Sequence, residues 1–206
     1  MISVVILTKN SAKYIERCLG VLQAFPEVVV VDNGSTDQTM ELAARFANVK
    51  IYQREFCGFG PLKNIGAGLA SHDWVFFVDS DEIVSPELVK KILGQQLSEQ
   101  EVYRFYRKNY YAGRLIDGCN WDNDYVVRLY NRKTTSFNDN QVHESIQTNN
   151  LTKGLYLVNI QSANSNSTAH IKFNKEIFIS NKFINFYFHK IGQLNPIKHH
   201  VSILGK

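Results

Sequence analysis

Cysteine is scarce and unpaired in this 206-residue chain: Cys18, Cys57 and Cys119 are odd in number, scattered, and form no C-x-x-C pair. That excludes a disulfide framework and a cysteine zinc site, and it fits a reducing cytosol. Proline is as sparse, with 4 residues, and glycine stops at 12, so collagen-like and Pro/Gly low-complexity classes are excluded. No apolar run approaches the roughly 20 residues of a bilayer-spanning helix, so no integral membrane protein is expected. Met1 leads straight into Ile2-Ser3-Val4-Val5-Ile6-Leu7, with neither a basic stretch nor a small-residue cleavage site, so no signal peptide is expected. The triplet Asn166-Ser167-Thr168 is discounted as a glycosylation acceptor for the same reason.

What the chain does have is an ordinary globular mixture, 44% hydrophobic, 20% charged and 12% aromatic, which excludes wholesale disorder. A domain of this size buries about 70% of its unfolded surface and needs no staples. The net charge of +4 is unevenly placed. Lys172 to Lys206 holds six Lys and one Glu, so the preceding residues are close to neutral. A near-neutral body with a basic end is not a nucleic-acid binder, and no nucleic-acid partner is expected.

Short apolar runs alternate with helical patterns through the first hundred residues. Val4–Leu7, Val28–Val31, Val49–Tyr52 and Trp74–Val78 read as strands; helices are expected over Ser11–Gln23, Asp37–Ala47, Pro61–Ala70 and Ser85–Leu97. Continuously apolar strands separated by helices mean a mainly parallel sheet covered on both faces, an α/β fold. Ligands of such sheets bind at the carboxyl ends of the strands. Here those ends carry Thr8 and Asn10, then Asp32, then Asp79 and Asp81. After residue 100 the texture is more irregular: an alternating strand over Glu101–Tyr111, a turn at Asp117-Gly118, a strand over Asp124–Tyr130, and a polar loop over Thr134–Asn140 before Val142-His143-Glu144. Asn159–Thr168, rich in Asn and Ser, reads as a linker. The expected division is therefore 1–158 as the main domain, with halves meeting near residue 100, and 159–206 as linker and C-terminal segment.

Three constellations carry chemistry. Asp79-Ser80-Asp81, at the mouth of a buried strand, offers hard oxygen ligands to a divalent cation able to offset charge on a diphosphate leaving group. Asp32 suits hydrogen bonds from a base or ribose edge, although an Asx-turn with Asn33-Gly34 is the simpler use of it. In Phe56-Cys57-Gly58-Phe59-Gly60-Pro61-Leu62-Lys63-Asn64, glycines precede a helix start, and Lys63 sits in the first turn against the helix-dipole preference, a hint of a bound phosphate. No glycine follows the first strand, which speaks against a nucleotidyltransferase and against a G-x-G-x-x-G dehydrogenase.

Val4–Asn10, Val30–Asp37, the Lys63-Asn64 helix and Asp79-Ser80-Asp81-Glu82 together resemble the family 2 glycosyltransferases of GT-A fold. Arg128-Leu129-Tyr130-Asn131-Arg132-Lys133 and Val142-His143-Glu144 are similar to bacterial lipopolysaccharide-core β-1,4-glucosyltransferases. The resemblance implies metal-assisted single displacement with inversion, moving glucose from a UDP-sugar to a lipid-linked core saccharide, with Mg²⁺ or Mn²⁺ as cofactor. By position it puts Thr8, Asn10, Asp32, Lys63, Asp79 and Ser80 around the donor, and Asp81, with Asp79 and His143, at the metal. Glu144 becomes the leading general base, with Asp124 and Asp122 as rivals, and Arg128 and Arg132 face an anionic acceptor. The Q-x-x-R-W motif of processive synthases is absent from the sequence, so polymerisation is not expected. A sugar-nucleotide-binding scaffold without transfer is the non-enzymatic alternative.

In the C-terminal segment Ile177-Phe178, Phe183-Ile184, Tyr187-Phe188 and Ile191 recur at helical spacing beside Lys175, Lys182 and Lys190. Such a basic, ring-rich stripe suits an anionic membrane surface, and equally an ordinary helix packed on the sheet. The first use, with the inferred lipid acceptor, gives the expected location: cytoplasmic, peripheral on the inner face of the plasma membrane.

Overall fold

Alternate residues of the apolar strands go to opposite faces of one sheet in the computed structural model, which describes residues 1–111, 114–116, 124–148 and 151–162. Val4, Ile6, Val28, Val30 and Phe76 pack on one side, Val5, Val29, Val31, Val75 and Phe77 on the other, all buried. Both faces are dry because helices cover both. The chain runs β1 (Ile2–Thr8), α1 (Ile15–Gly20), β2 (Glu27–Asp32), α2 (Thr39–Ala43), β3 (Val49–Gln53), α3 (Phe59–Leu69), β4 (Trp74–Phe77), β5 (Glu82–Val84) and α4 (Pro86–Leu93). It continues with β6 (Glu101–Lys108), β7 (Tyr110–Tyr111), β8 (Arg114–Leu115), β9 (Tyr125–Asn131) and β10 (Thr152–Ser162).

The sheet order is β3-β2-β1-β4-β9-β6-β10-β5, with β7 and β8 as a separate pair. β3, β2, β1 and β4 are mutually parallel, as expected. The second half departs from that pattern: β9 inserts antiparallel between β4 and β6, while β10 pairs parallel to β6 and antiparallel to β5. A strand returning against β4 places the later residues beside the carboxylate corner that ends β4. The short β5 was not foreseen. The expected linker begins inside β10, since residues 159–162 are strand.

α1 packs Ile15, Cys18 and Leu19 against Val4, Ile6 and Val30, and α4 adds Leu88, Val89 and Ile92 to the same cluster. Each such side chain contributes about 1.5–3 kcal/mol by leaving water. α3 covers the other face, where Gly66 is required: a Cβ there would lie 2.7 Å from Val5 Cγ1. α1, α2 and α4 are shorter than periodicity implies, whereas α3 starts two residues earlier than expected. α2 starts at Thr39, not Asp37, because the Asp37 carboxylate accepts from the Thr39 N–H at 3.0 Å and reaches across to the Ala12 N–H at 3.1 Å. α4 has the expected Ser85 cap, accepting from the Leu88 N–H at 3.2 Å, and ends at Leu93 before Gly94. Among the described residues no helix is long and apolar enough to cross a membrane. Asp122, Cys119 and the basic aromatic stripe lie outside the described residues.

At the amino ends of the strands, opposite the candidate site, Glu27 is buried and fully engaged. It accepts from Ser3 Oγ, from Ser71 N and Oγ (both 2.7 Å) and from Lys50 Nζ (2.7 Å). Burial alone would raise its pKa; the Lys50, Ser3 and Ser71 hydrogen bonds outweigh it and bring the group down from 4.5 to about 2. A depressed folded-state pKa gives stability that is present above about pH 4.5 and lost as pH falls toward 2. Glu27→Gln is expected to cost about 2–3 kcal/mol in urea unfolding at pH 7. Its deficit against the native chain should shrink when the same titration is run at successively lower pH through that window.

Candidate active site

Three strand ends meet at one rim. Thr8 pairs in register with Asp32, and the Val78 N–H donates to the Val5 carbonyl at 3.1 Å, so the turn after β4 lies beside β1. Thr8 is 3% exposed and its Oγ1 is buried without a hydrogen-bond partner, as is Oδ1 of Asn33. Two orphaned polar atoms at neighbouring strand ends mark a place where a polar ligand would be repaid for binding. Asp32 is wholly buried, and its carboxylate accepts from Gly34 N (3.1 Å), Ser35 N and Ser35 Oγ, the Asx-turn use of this residue. Asn10, with φ 52°, donates its backbone N–H to Ser35 Oγ (2.9 Å) and accepts from Thr36 N (2.8 Å). Asp32 and Asn10 thus shape the two loops rather than standing free. Ser80 joins them to the acidic turn, its Oγ 2.8 Å from Ser11 Oγ, and Ser11 N donates to Thr39 Oγ1 at 2.7 Å.

The acidic turn is held from below by arginine. Arg128 on β9 is buried; its Nη2 lies 2.6 Å from Asp79 Oδ2 and 2.8 Å from Glu82 Oε1, and its Nη1 lies 3.4 Å from Asp79 Oδ1. Arg107 on β6 extends the cluster, from Glu82 (3.3 Å) to Asp124 (2.8 Å), and Asn109 Nδ2 also donates to Asp124 at 2.8 Å. Burial works against the charge of Asp79, yet Arg128 and then Lys63 hold its carboxyl well below the usual range. Burial pushes Glu82 up, against the pull of Arg128 and Arg107, which both lie on its Oε1. Asp81 is pushed up too, by burial and then by Asp79. The expected acceptor role of Arg128 does not survive this: its guanidinium is enclosed by carboxylates. Asp124, the rival base, is tied to Arg107 and Asn109.

The segment after β9 is strapped along α3. Arg132 Nη1 donates to the carbonyls of Ala67 (2.7 Å), Gly68 (3.3 Å) and Ala70 (2.7 Å), capping the helix C-terminus; Arg132 is therefore a helix cap, not an acceptor ligand. Midway, Asn64 exchanges two hydrogen bonds with the Phe137 backbone, at 3.0 and 2.9 Å. At the other end the carbonyls of Gln141 and Asn140 accept from Phe59 N (2.9 Å) and Gly60 N (3.1 Å). Pro61 has no N–H and Leu62 N bonds Gly58. The phosphate expected at this helix start is thus displaced by protein carbonyls. The strap's last turn delivers Glu144, whose Oε1 accepts from Lys63 Nζ at 2.6 Å, both side chains largely buried at 17% and 7% exposure. His143, with φ 57°, and Val142 are exposed beside it.

Asp81 is the residue of this corner that would hold a divalent cation. Asp79 has both oxygens on Arg128, whereas Asp81 carries hard oxygen donors in a place where its own charge is disfavoured and a cation would relieve it. No group of three His, Cys, Asp or Glu gathers for a metal among the described residues, so Asp79 and His143 do not complete a ready-made site.

Residues 3–155 match the family described as glycosyl transferase family 2. The chain belongs to that family. It is similar to uncharacterized glycosyltransferases of Rickettsia bellii and Rickettsia typhi, at 29% and 30% identity over 98% of this chain, and it spans 60% of each of those proteins. Over 99 residues, 43% of this chain and 17% of the relative, it is 41% identical to the poly(ribitol-phosphate) beta-N-acetylglucosaminyltransferase TarS of Staphylococcus aureus. The solved structure of TarS 1-349 in complex with UDP shares its fold, with a TM-score of 0.57 at 22% identity over 76% of this chain and 60% of that one. These agreements bear out the glycosyltransferase fold expected from the strand-end motifs.

Sequence reading did not foresee Glu82, Arg107 and Asn64 as site-builders. Glu82 extends the D-S-D run, and Arg107 stands on an alternating strand, but only the return of β9 and β6 beside β4 brings them together. The strap leaves one sharp steric requirement. A Cβ on Gly60 would lie 2.0 Å from the Asn138 carbonyl oxygen, while one on Gly68 meets nothing within 4 Å. Gly60→Ala should lose about 2 kcal/mol or more of unfolding free energy, and Gly68→Ala should gain about 0.5–1 kcal/mol, both measured in urea.

Proposed function

We propose that this chain transfers a sugar from a UDP-linked donor to an acceptor saccharide by single displacement with inversion. The observation that carries the reading is the meeting of Thr8, Asp32, Asp79 and Asp81 at adjacent strand ends with Glu144 brought to the same corner by Lys63. Thr8 Oγ1 and Asn33 Oδ1, otherwise orphaned, take up polar edges of the nucleotide, in loops that Asp32, Asn10 and Ser80 hold in shape. Asp81 would hold Mg²⁺ or Mn²⁺, which when bound offsets charge on the departing diphosphate, while Asp79, expected as a second ligand, stays on Arg128. Glu144 takes the proton from the acceptor hydroxyl as the new bond forms; its Oε1 is held by Lys63, whereas the rival Asp124 has its Oδ2 tied to both Arg107 and Asn109.

For the sugar we read glucose and for the acceptor a lipid-linked lipopolysaccharide-core saccharide, supported by the likeness of Arg128–Lys133 and Val142–Glu144 to the core glucosyltransferases. The basic aromatic C-terminal segment suits a peripheral position at the inner membrane face, where such an acceptor would be met. N-acetylglucosamine is the second reading, favoured by the TarS relative named above.

A screen of UDP-sugar hydrolysis with Mg²⁺ and Mn²⁺ tests this without an acceptor. Hydrolysis of UDP-glucose above that of UDP-N-acetylglucosamine, lost in excess chelator, is expected. Asp81→Asn and Glu144→Gln should each lower turnover by about 10²–10⁴-fold while the chain stays folded by circular dichroism. UDP-sugar binding with no turnover for any donor would instead make the chain a scaffold, and full turnover in chelator would remove the metal.

A further inference from the structure

Lys63 is the one cation that faces both the donor-side acid and the acceptor-side carboxylate among the interactions described above. Its ammonium lies 2.6 Å from Glu144 Oε1 and stands over two rings, 5.1 Å from the centroid of Phe137 and 6.0 Å from that of Phe77. Phe77 is the last residue of β4, two residues before Asp79, and Phe137 belongs to the strap. The rings and the buried stem leave the ammonium a narrow set of positions, and the charge also helps to keep Asp79 ionised. Glu144 follows His143, a residue in left-handed backbone, on a loop end with no regular structure of its own. Its side chain has Lys63 as a hydrogen-bond partner fixed in a helix.

We propose that Lys63 is a positioning residue: it fixes the Glu144 carboxylate for the transfer step and is not a donor-phosphate ligand. The proposal rests on the reading of Glu144 as the base. An ammonium held by an ion pair at 2.6 Å is not available to a phosphate unless that pair breaks. The helix start that would have supplied the companion anion-binding N–H groups is already closed by Asn140 and Gln141. A base anchored by a side chain of a rigid helix also avoids the loss in rate that a loose carboxylate incurs.

The test measures kcat and donor KM for hydrolysis of the UDP-sugar chosen by the screen, using the full chain. The variants are Lys63→Met, Lys63→Arg, Glu144→Gln and the Lys63→Met/Glu144→Gln pair. Lys63→Met should lower kcat by about 10²-fold with donor KM changed by less than about twofold, Lys63→Arg should recover most of that loss, and the double variant should be no slower than Glu144→Gln alone. A raised donor KM with kcat retained would make Lys63 a donor ligand and overturn the proposal. A double variant slower than Glu144→Gln by the full Lys63→Met factor would show that Lys63 acts apart from Glu144 and would overturn it too. Failure of the underlying reading looks different: Glu144→Gln would then turn over at the native rate. If Lys63→Met does not fold by circular dichroism, Lys63→Leu, which likewise removes the donor, is judged by the same criteria.

Discussion

Helix α3 is clamped at both ends by the segment that follows β9, and the site depends on that clamp. A helix leaves N–H groups open at its start and carbonyls open at its end, and buried termini need partners. Here one stretch supplies both: Arg132 at the C-terminus, the Asn140 and Gln141 carbonyls at the N-terminus, and the Asn64–Phe137 pair between them. Satisfying α3 therefore lays the strap in one register, and that register sets Glu144 on Lys63. Gly58, at φ 106°, and Gly60 let two backbones approach closely enough for this.

A second constraint acts beneath it. Arg128 and Arg107 enter from β9 and β6 under a turn carrying Asp79, Asp81 and Glu82, so Asp79 and Glu82 have guanidinium partners within the fold before any ligand arrives. A buried guanidinium is costly unless each carboxylate is well placed, as Asp79 and Glu82 are on Arg128. The pairing is uneven. Asp79 is kept ionised by Arg128, while Asp81 is left where burial and Asp79 disfavour its charge.

The parallel half of the sheet was legible because its signal is local. Unbroken Val and Phe runs ending in Thr8, Asp32 and Asp79 describe strands buried on both faces with polar mouths, and the register puts those mouths together. The Asx-turn reading of Asp32 and the Ser85 cap were legible for the same reason, since each involves partners within three residues. The second half was less so. Asp124–Tyr130 reads as a strand, but nothing in its pattern says that it inserts antiparallel beside β4. Without that insertion Arg128 looks like a ligand for an anionic acceptor instead of the floor under Asp79.

The residue types and their spacing settled by themselves that this is an α/β protein with polar strand ends, because those features follow from side-chain periodicity and short-range hydrogen bonding; its likeness to the glycosyltransferases rested on matching motifs. The tertiary structure alone decided what each charged side chain does there. Arg132 caps a helix, Asp124 is bound to Arg107, and Lys63 meets a carboxylate 81 positions away. A charge in water is indifferent to such distant partners. Once folding has removed the water, it is held by whichever opposite charge or carbonyl the packing has brought within reach.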